Sequence, residues 1–548
     1  DHAPLRNFLA ETVGPFLTDG RLALVQTPPA FLNEDPVQRN LRFRKDPPGE
    51  HELFHRLMQR GLDGWNAAFF TGSAAVLRRS ALVATGGFSG RSVTEDCETT
   101  LSLHQGGWRS RYVDKPLVWG LQPETFSSLV GQRSRWASGM LQILVRRFPL
   151  FAPRLTLAQR LCYMSSCLYW LFPLAKIALV FAPLIYIWLD VKIFIANPDE
   201  MLVYGVPYIA TCVILANYLY GSYRWPFMAE VYEYVLSVFL AKSVVRTLVS
   251  PGHPRFHVTA KGVTLDRTHL SALAGVYFAI FAVLAATAVW SGVRLATEEG
   301  NEILLVAVGA WNLFNLVVAA IALGAVLERR ELRRAPRLTV DRPARVLADG
   351  ASIPVRIADV SRTGVRCAFA GAPHQAVRPG VRAILFVPGE AGETEVPVEI
   401  TVARLSDGGA SFGASFAPDD LRRLHAVARL MAAPGVAVRP ETGDAPSWRP
   451  RSIPIWTVVF TLHAIRNAVL AFAYALRPAA RPSPRRAEPA SGLAAALRPA
   501  GAVALVLAAI LSVALLAVGG RAFAATAVPA PSAETPEASA TAEPTAPP

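Results

Sequence analysis

The chain has 548 residues, a net charge of +14 and 52% hydrophobic residues, with a mean hydropathy of +0.31. That is more than one domain at roughly 150 residues each, and apolar content this clustered excludes an ordinary soluble enzyme. The positive charge falls at the ends of apolar runs (Arg146, Arg147, Arg224, Arg246, Arg255 and 329–337) rather than in one block, which excludes a nucleic acid polymer as partner and fits cytoplasmic loops. The five cysteines (Cys97, Cys162, Cys167, Cys212, Cys367) show no paired metal spacing, so packing accounts for them.

The chain opens on Asp1-His2-Ala3-Pro4 without a targeting signal and reads as a piece whose start is missing. Residues 1–150 are expected to be mixed α/β. A strand is predicted over 22–26, ended by Thr27-Pro28-Pro29, and a helix over 51–60. The small, apolar stretch 66–77 around Thr71-Gly72-Ser73 reads as strand-like. A helix over 99–104 ends at Gly106-Gly107, as glycine caps do, and 108–113 is again a strand. Ahead of that helix stands Ser92-Val93-Thr94-Glu95-Asp96. Ser92 and Glu95 have capping-box spacing, so the acidic pair reads as helix N-terminal residues. It reads as well as a carboxylate at a cleft, able to take a proton from a hydroxyl.

After Pro123 a proline-free segment, 124–146, predicts a helix. Gln132, Arg135, Trp136 and Gly139 share one of its faces. An amide, a guanidinium and an indole there suit a sugar phosphate or a sugar ring. From these residues alone, an amphipathic helix with solvated arginines and one core tryptophan is the better fit.

Runs 201–223, 270–293, 303–327 and 501–520 carry no charge, and 161–189 carries only Lys176. Each approaches or exceeds the roughly 20 residues that cross a bilayer. Four spans, at about 161–189, 201–223, 268–293 and 302–327, would return the chain to its first side, so that 1–150 and 330–440 share a compartment. Residues 226–250, interrupted by Glu230, Glu233, Lys242 and Arg246, read as an interfacial amphipathic helix, with a tilted fifth span as the alternative. A loop over 251–265 follows, bounded by Pro and Gly and containing Phe256, Val258, Thr259 and Lys261.

From residue 330 to 437 six short strand candidates (337–346, 352–359, 364–369, 383–387, 394–404, 410–416) predict a small β-barrel, followed by a helix over 419–431. Residues 438–490 hold an amphipathic helix over 455–476, expected on the membrane or against the first domain, and an Arg- and Pro-rich linker. In 491–548 a basic flank, an apolar run and Ala522-Phe523-Ala524 have the parts of a secretory signal, or of a plain final span, ahead of a low-complexity tail.

The series Phe69-Phe70-Thr71-Gly72-Ser73, Thr94-Glu95-Asp96 and Gln132-x-x-Arg135-Trp136, followed by membrane spans, resembles the processive family-2 glycosyltransferases, most closely the catalytic subunits of bacterial cellulose synthases. The resemblance implies a multidomain membrane protein: part of a GT-A α/β domain over 1–150, a transmembrane channel over 151–329, and a PilZ β-barrel over 330–437. It implies transfer of glucose from UDP-glucose to a growing β-1,4-glucan with secretion of the polymer across the inner membrane. Asp96 would be the general base. Thr94, Glu95, Gln132, Arg135 and Trp136 would bind the donor diphosphate and the acceptor, and Phe69, Phe70, Thr71, Gly72 and Ser73 would line the acceptor site. Thr71 stands where the family commonly has cysteine.

Asp1 would match the last aspartate of a metal motif holding Mg²⁺ or Mn²⁺, whose partner residues are absent, as are the uridine-binding aspartates. Phe256, Val258, Thr259 and Lys261 resemble the gating loop. Arg333 and Arg337, paired with Asp359, Ser361 and Gly364, resemble a cyclic di-GMP site, which would make that nucleotide the activator. Tyr169, Trp170 and Trp188 would be available to a glucan in the channel. A fusion to a periplasmic subunit would explain the signal-like segment. A chitin, hyaluronan or other β-glucan synthase would share the catalytic motifs, and a non-enzymatic cyclic di-GMP receptor is the rival from another class.

Overall fold

A computed structural model describes residues 2–42, 49–192, 200–252, 265–330, 337–361, 363–389, 392–406, 409–416 and 453–476. Asp1, the candidate gating residues Phe256, Val258, Thr259 and Lys261, Arg333, and all of 477–548 lie outside the described residues, as does the helix expected over 419–431. Arg337 is described by its backbone alone.

Two small sheets make up the N-terminal region. In the first, β2 (Leu22–Gln26) lies between β4 (Ala75–Leu77), antiparallel to it, and β5 (Arg109–Tyr112), parallel to it. All five residues of β2 are buried, because it is the central strand and is covered on both faces. In the second sheet, β6 (Val118–Gly120) lies between β1 (Ala3–Pro4) and β3 (Pro29–Phe31). The helix expected over 99–104 begins earlier, as Glu95–Gln105, and ends at Gly106 as predicted. Its N-cap is Thr94 with no side-chain cap, so the capping box read at Ser92 and Glu95 does not form; the Ser92 hydroxyl donates to the Thr94 carbonyl instead.

The stretch 66–77 is a strand only over its last three residues. The rest is a loop with left-handed backbone at Asn66, Gly72 and Ala74. Its small apolar residues are buried, yet not by strand pairing. Phe69 exchanges two hydrogen bonds with the buried Gln59 amide. Gln26 accepts from the Thr71 N–H and donates to the carbonyls of Thr27, Ser73 and Ala74. Side-chain amides thus satisfy the backbone groups that a ladder would otherwise pair.

The Gln132 helix runs over Phe126–Arg147, capped by Thr125, whose hydroxyl accepts from the Ser128 N–H. Among the described residues, four helical stretches are long and apolar enough to cross a membrane: Leu157–Leu189, Val203–Tyr220, Ala274–Thr297 and Glu302–Ala325. The first contains two helices, Leu157–Leu168 and Phe172–Leu189, joined by a 3₁₀ turn.

Pro226–Val249 departs from the interfacial reading. Val231, Tyr232, Tyr234, Val235, Leu236 and Ser237 are all buried, which covers more than one face, and the helix packs between the Gln132 helix and the first span. Its acidic residues are paired: Lys176 of the first span meets Glu230 at 2.5 Å and Glu233 at 3.5 Å, and Arg224 meets Glu233 at 2.8 Å. The last described helix, Ile453–Ala475, is also corrected. It packs along Glu302–Ala325, with Asn467 against Gly324 and Phe472 edge-on to Phe278 and Phe281. One continuous apolar core runs from Val37 through the Gln132 helix and the first, third and fourth of these stretches to Ala475.

A buried polar knot closes this core. The Glu328 carboxylate, beside the short pair β7 (His269–Leu270) and β8 (Leu327–Glu328), accepts from the Phe126 N–H, from Arg39 at 3.0 Å and from Asn40 at 3.3 Å. Asn40 also donates to the Ala325 carbonyl, and its own carbonyl and side-chain oxygens take two hydrogen bonds from Arg329.

Beyond it, β9 (Arg337–Ala348), β10 (Ala351–Ser361), β11 (Gly364–Phe369), β12 (Arg382–Gly389), β13 (Gly392–Ser406) and β14 (Gly409–Phe416) close a barrel in the order β10-β11-β14-β13-β12-β9. All six strands follow the predicted ones. The core holds Val346, Val355, Ile357, Val365, Leu385 and Phe412. Gly364 is needed where it stands, because a Cβ there would meet the Ala414 carbonyl oxygen at 2.4 Å. Gly364→Ala should destabilise the barrel by about 1–3 kcal/mol through overpacking, seen as faster amide exchange across β11 and β14 with the membrane helices unchanged.

Candidate functional site

Asp96 is the second residue of the Glu95–Gln105 helix and lies partly buried at its N-terminus. Its Oδ1 accepts from the Cys97 N–H at 2.8 Å. Burial pushes the carboxyl up to about 7; the Cys97 hydrogen bond and the Arg135 guanidinium act against that, and Glu95 acts with it. A carboxylate poised near neutrality is suited to general base work. Gly72, at φ +81°, passes directly over it, and a Cβ there would stand 3.2 Å from Asp96 Oδ2. The left-handed backbone and the close approach both call for glycine.

The Gln132 helix forms the opposite wall. Gly139 touches the loop that leads into Asp96: a Cβ there would meet the Thr94 nitrogen and side chain at 2.6 Å. Thr94 is therefore seated on the helix one turn beyond Arg135, and Arg135 lies close enough to act on the Asp96 carboxyl. Gln132, Arg135 and Trp136 are all partly exposed along this face. The Arg133 guanidinium sits 4.4 Å from the centre of the Trp136 ring and is itself held by Glu50. One cation–π partner thus orients the indole.

Of residues 69–73, Gly72 borders Asp96, while the Thr71 N–H and the Ser73 carbonyl are bound by Gln26. Phe70 lies at the edge beside Phe88, and its N–H donates to Thr100 Oγ1. Phe69 corrects the expectation: it is a core ring, stacked with Tyr163 at 6.3 Å and packed on Phe54. The residues that sequence reasoning missed are Gln26, Gln59 and Gln142. All three are buried polar side chains that hold backbone segments, and no local pattern marks them.

On the barrel, Asp359 and Ser361 are buried near the β10–β11 hairpin. Asp359 Oδ2 accepts from Arg366 Nε at 2.5 Å. The Ser361 hydroxyl accepts from the N–H groups of Thr363 and Gly364 and lies 3.1 Å from the Gly364 carbonyl. Among the described residues no group of three His, Cys, Asp or Glu side chains could hold a metal ion, so these residues do not by themselves make the expected metal site.

A mixed α/β region, apolar helices and a small closed barrel follow one another along the chain. The model of glycosyl transferase family group 2 matches residues 1–224, and that of the PilZ domain matches residues 331–433. The chain carries both domains and is homologous to cellulose synthase catalytic subunits over most of its length.

A cellulose synthase catalytic subunit (UDP-forming) of Pseudomonas fluorescens (strain SBW25) is 32% identical over 433 residues, 78% of this chain and 58% of that protein. Cellulose synthase 2 of Novacetimonas hansenii is 35% identical over 370 residues, 67% of this chain and 23% of that protein. The chain therefore spans less than two thirds of these relatives. The solved PilZ domain with c-di-GMP of YcgR from Escherichia coli is 18% identical, covers 19% of this chain and has a TM-score of 0.17.

Two glycines of one helix give opposite expectations. Gly139→Ala should unseat Thr94 and raise amide exchange at Val93 and Cys97. Gly131→Ala, with nothing within 4 Å of the new methyl, should instead stabilise the helix by about 0.5–1 kcal/mol.

Proposed function

We propose that the chain is the catalytic part of a cellulose synthase, which transfers glucose from UDP-glucose to the end of a β-1,4-glucan with inversion and passes the polymer across the inner membrane. The observation that carries this reading is the placement of Asp96 at the start of the Glu95–Gln105 helix, under Gly72 and on a loop seated against Gly139 of the Gln132 helix, where burial pushes its carboxyl up to about 7. Asp96 takes the proton of the acceptor 4-hydroxyl as that oxygen attacks the anomeric carbon from the face opposite the diphosphate. The new glycosidic bond forms as the bond to UDP breaks, and UDP leaves with the electron pair. Arg135 offsets charge on the diphosphate, and Trp136 stacks on the acceptor ring and holds it in register.

Thr259 and Lys261, by resemblance to the gating loop, meet the same diphosphate, and Phe256 and Val258 close over it. The glycosyltransferase and PilZ domains face the cytoplasm. Cyclic di-GMP, bound by the barrel with Arg333, Arg337 and Asp359, activates transfer, and a periplasmic subunit receives the glucan.

The test is glucose incorporation from UDP-glucose by the full-length protein reconstituted in membranes, with and without cyclic di-GMP. Asp96→Asn should lower kcat by about 10²–10⁴-fold; normal polymerisation by that variant would sink the base assignment. Incorporation from UDP-N-acetylglucosamine alone would point to another polysaccharide synthase. Because the base must be ionised, kcat/KM should fall as pH drops through about 7 and level off above it.

The same shift sets a stability sign. The folded state holds this proton more tightly than the unfolded chain, so the favourable contribution is complete at acid pH and is lost as pH rises through about 7. Asp96→Asn should accordingly raise the unfolding temperature at pH 8 while abolishing most activity.

A further inference from the structure

The face of the Gln132 helix that carries Gln132, Arg135 and Gly139 continues through Gln142 and Arg146 at helical spacing. Gln142 is only 2% exposed, and its amide is used at both ends. Its Oε1 accepts from the Val93 N–H at 3.0 Å, and its Nε2 donates to the Gly252 carbonyl at 3.0 Å. One turn further on, Arg146 repeats the connection: Nη1 donates to the Arg91 carbonyl at 2.7 Å and Nη2 to the Pro251 carbonyl.

The two backbone segments joined in this way are far apart in sequence. Residues 91–93 lead into Thr94-Glu95-Asp96, whose Thr94 is already seated on Gly139 of the same face. Residues 251–252 follow the end of Pro226–Val249. The chemistry at Gln142 is specific. A neutral amide offers an acceptor to an N–H and a donor to a carbonyl at once, whereas an ionised carboxylate only accepts, a cation only donates, and a thioether of the same length does neither to any useful degree. Each of these changes leaves the buried Val93 N–H, the Gly252 carbonyl or both without the partner that Gln142 supplies.

We propose that Gln142 and Arg146 are positioning residues of glycosyl transfer: a two-rung clamp that fixes the loop carrying Asp96 and ties its placement to the backbone at 251–252. The proposal rests on the reading of Asp96 as the base. Neither residue touches a reacting atom. They act through Val93 and Arg91, so their loss should slow the transfer step rather than weaken donor binding.

The experiment is steady-state kinetics of the full-length protein in proteoliposomes, with UDP-glucose as donor, for Gln142→Met, Arg146→Leu and the double variant. A base displaced by about an ångström can cost about 10²-fold, so kcat should fall about 10- to 100-fold in Gln142→Met and about 3- to 10-fold in Arg146→Leu, with KM for UDP-glucose within about threefold of wild type. Because two rungs close one clamp, the double variant should be within about threefold of Gln142→Met alone.

An unchanged kcat, a loss carried by KM, or losses that multiply in the double variant would each overturn the proposal. If Gln142→Met fails to reach the membrane at wild-type level, the exposed Arg146→Leu carries the same kcat-against-KM test, and a wild-type kcat there is equally fatal. A wild type that incorporates no glucose overturns the parent reading as well. That result is distinct from an active wild type with indifferent variants.

Discussion

The placement of the Gln132 helix depends on what the Glu328 carboxylate does at its first residue. The leading N–H groups of a helix have no partner within it, and here one of them, from Phe126, is taken by a buried carboxylate 202 residues further along the chain. Negative charge at that end is favoured by the helix dipole. Burial pushes the Glu328 carboxyl up, and the Phe126 hydrogen bond, Arg39 and Asn40 draw it back. Arg39 and Asn40 belong to the N-terminal region, and Glu328 stands just ahead of the barrel. One carboxylate therefore joins the glycosyltransferase region, the last span and the root of the barrel at the start of the helix that faces Asp96.

From that fixed origin the helix works as a ruler. Its 22 residues carry, on one face and in order, Gln132, Arg135, Gly139, Gln142 and Arg146. Each position meets a different partner: the open site, the Asp96 carboxyl, the Thr94 backbone, and then the two loops joined by Gln142 and Arg146. A shift of one residue would turn this whole face by about 100° and unmake every contact together. The buried helix Pro226–Val249 braces the other side: Tyr232 donates to Asp35 Oδ2 at 2.5 Å and Thr247 to Ser138 at 3.1 Å.

Elements set by periodicity were legible in the sequence: β2, the Gln132 helix, the four spans and all six barrel strands. The misreadings share one cause, polar groups whose partners are distant. Residues 66–74 looked like a strand because they are small and apolar, but Gln26 and Gln59 satisfy their backbone groups from elsewhere. Glu230 and Glu233 looked like a solvated face because Lys176, about 55 residues earlier, carries no local sign of pairing with them. At the candidate site, Asp96 and the Gln-x-x-Arg-Trp residues stand in motifs that a sequence displays. Gln142, whose two partners are 49 and 110 residues away, could not, because a lone glutamine in a helix has no pattern.

The serine and glycine of the barrel motif carry a folding duty. A serine hydroxyl has one donor and two acceptor sites. At Ser361 the two acceptor sites take the N–H groups of Thr363 and Gly364, while the proton is within reach of the Gly364 carbonyl. Gly364, in turn, is pressed against the Ala414 carbonyl of the neighbouring strand. Ser361 and Gly364 thus set the shape of the β10–β11 hairpin before any ligand arrives. Their spacing in Asp-x-Ser-x-x-Gly follows from that turn: the serine must reach forward two and three residues, and the glycine must lie where the strands close.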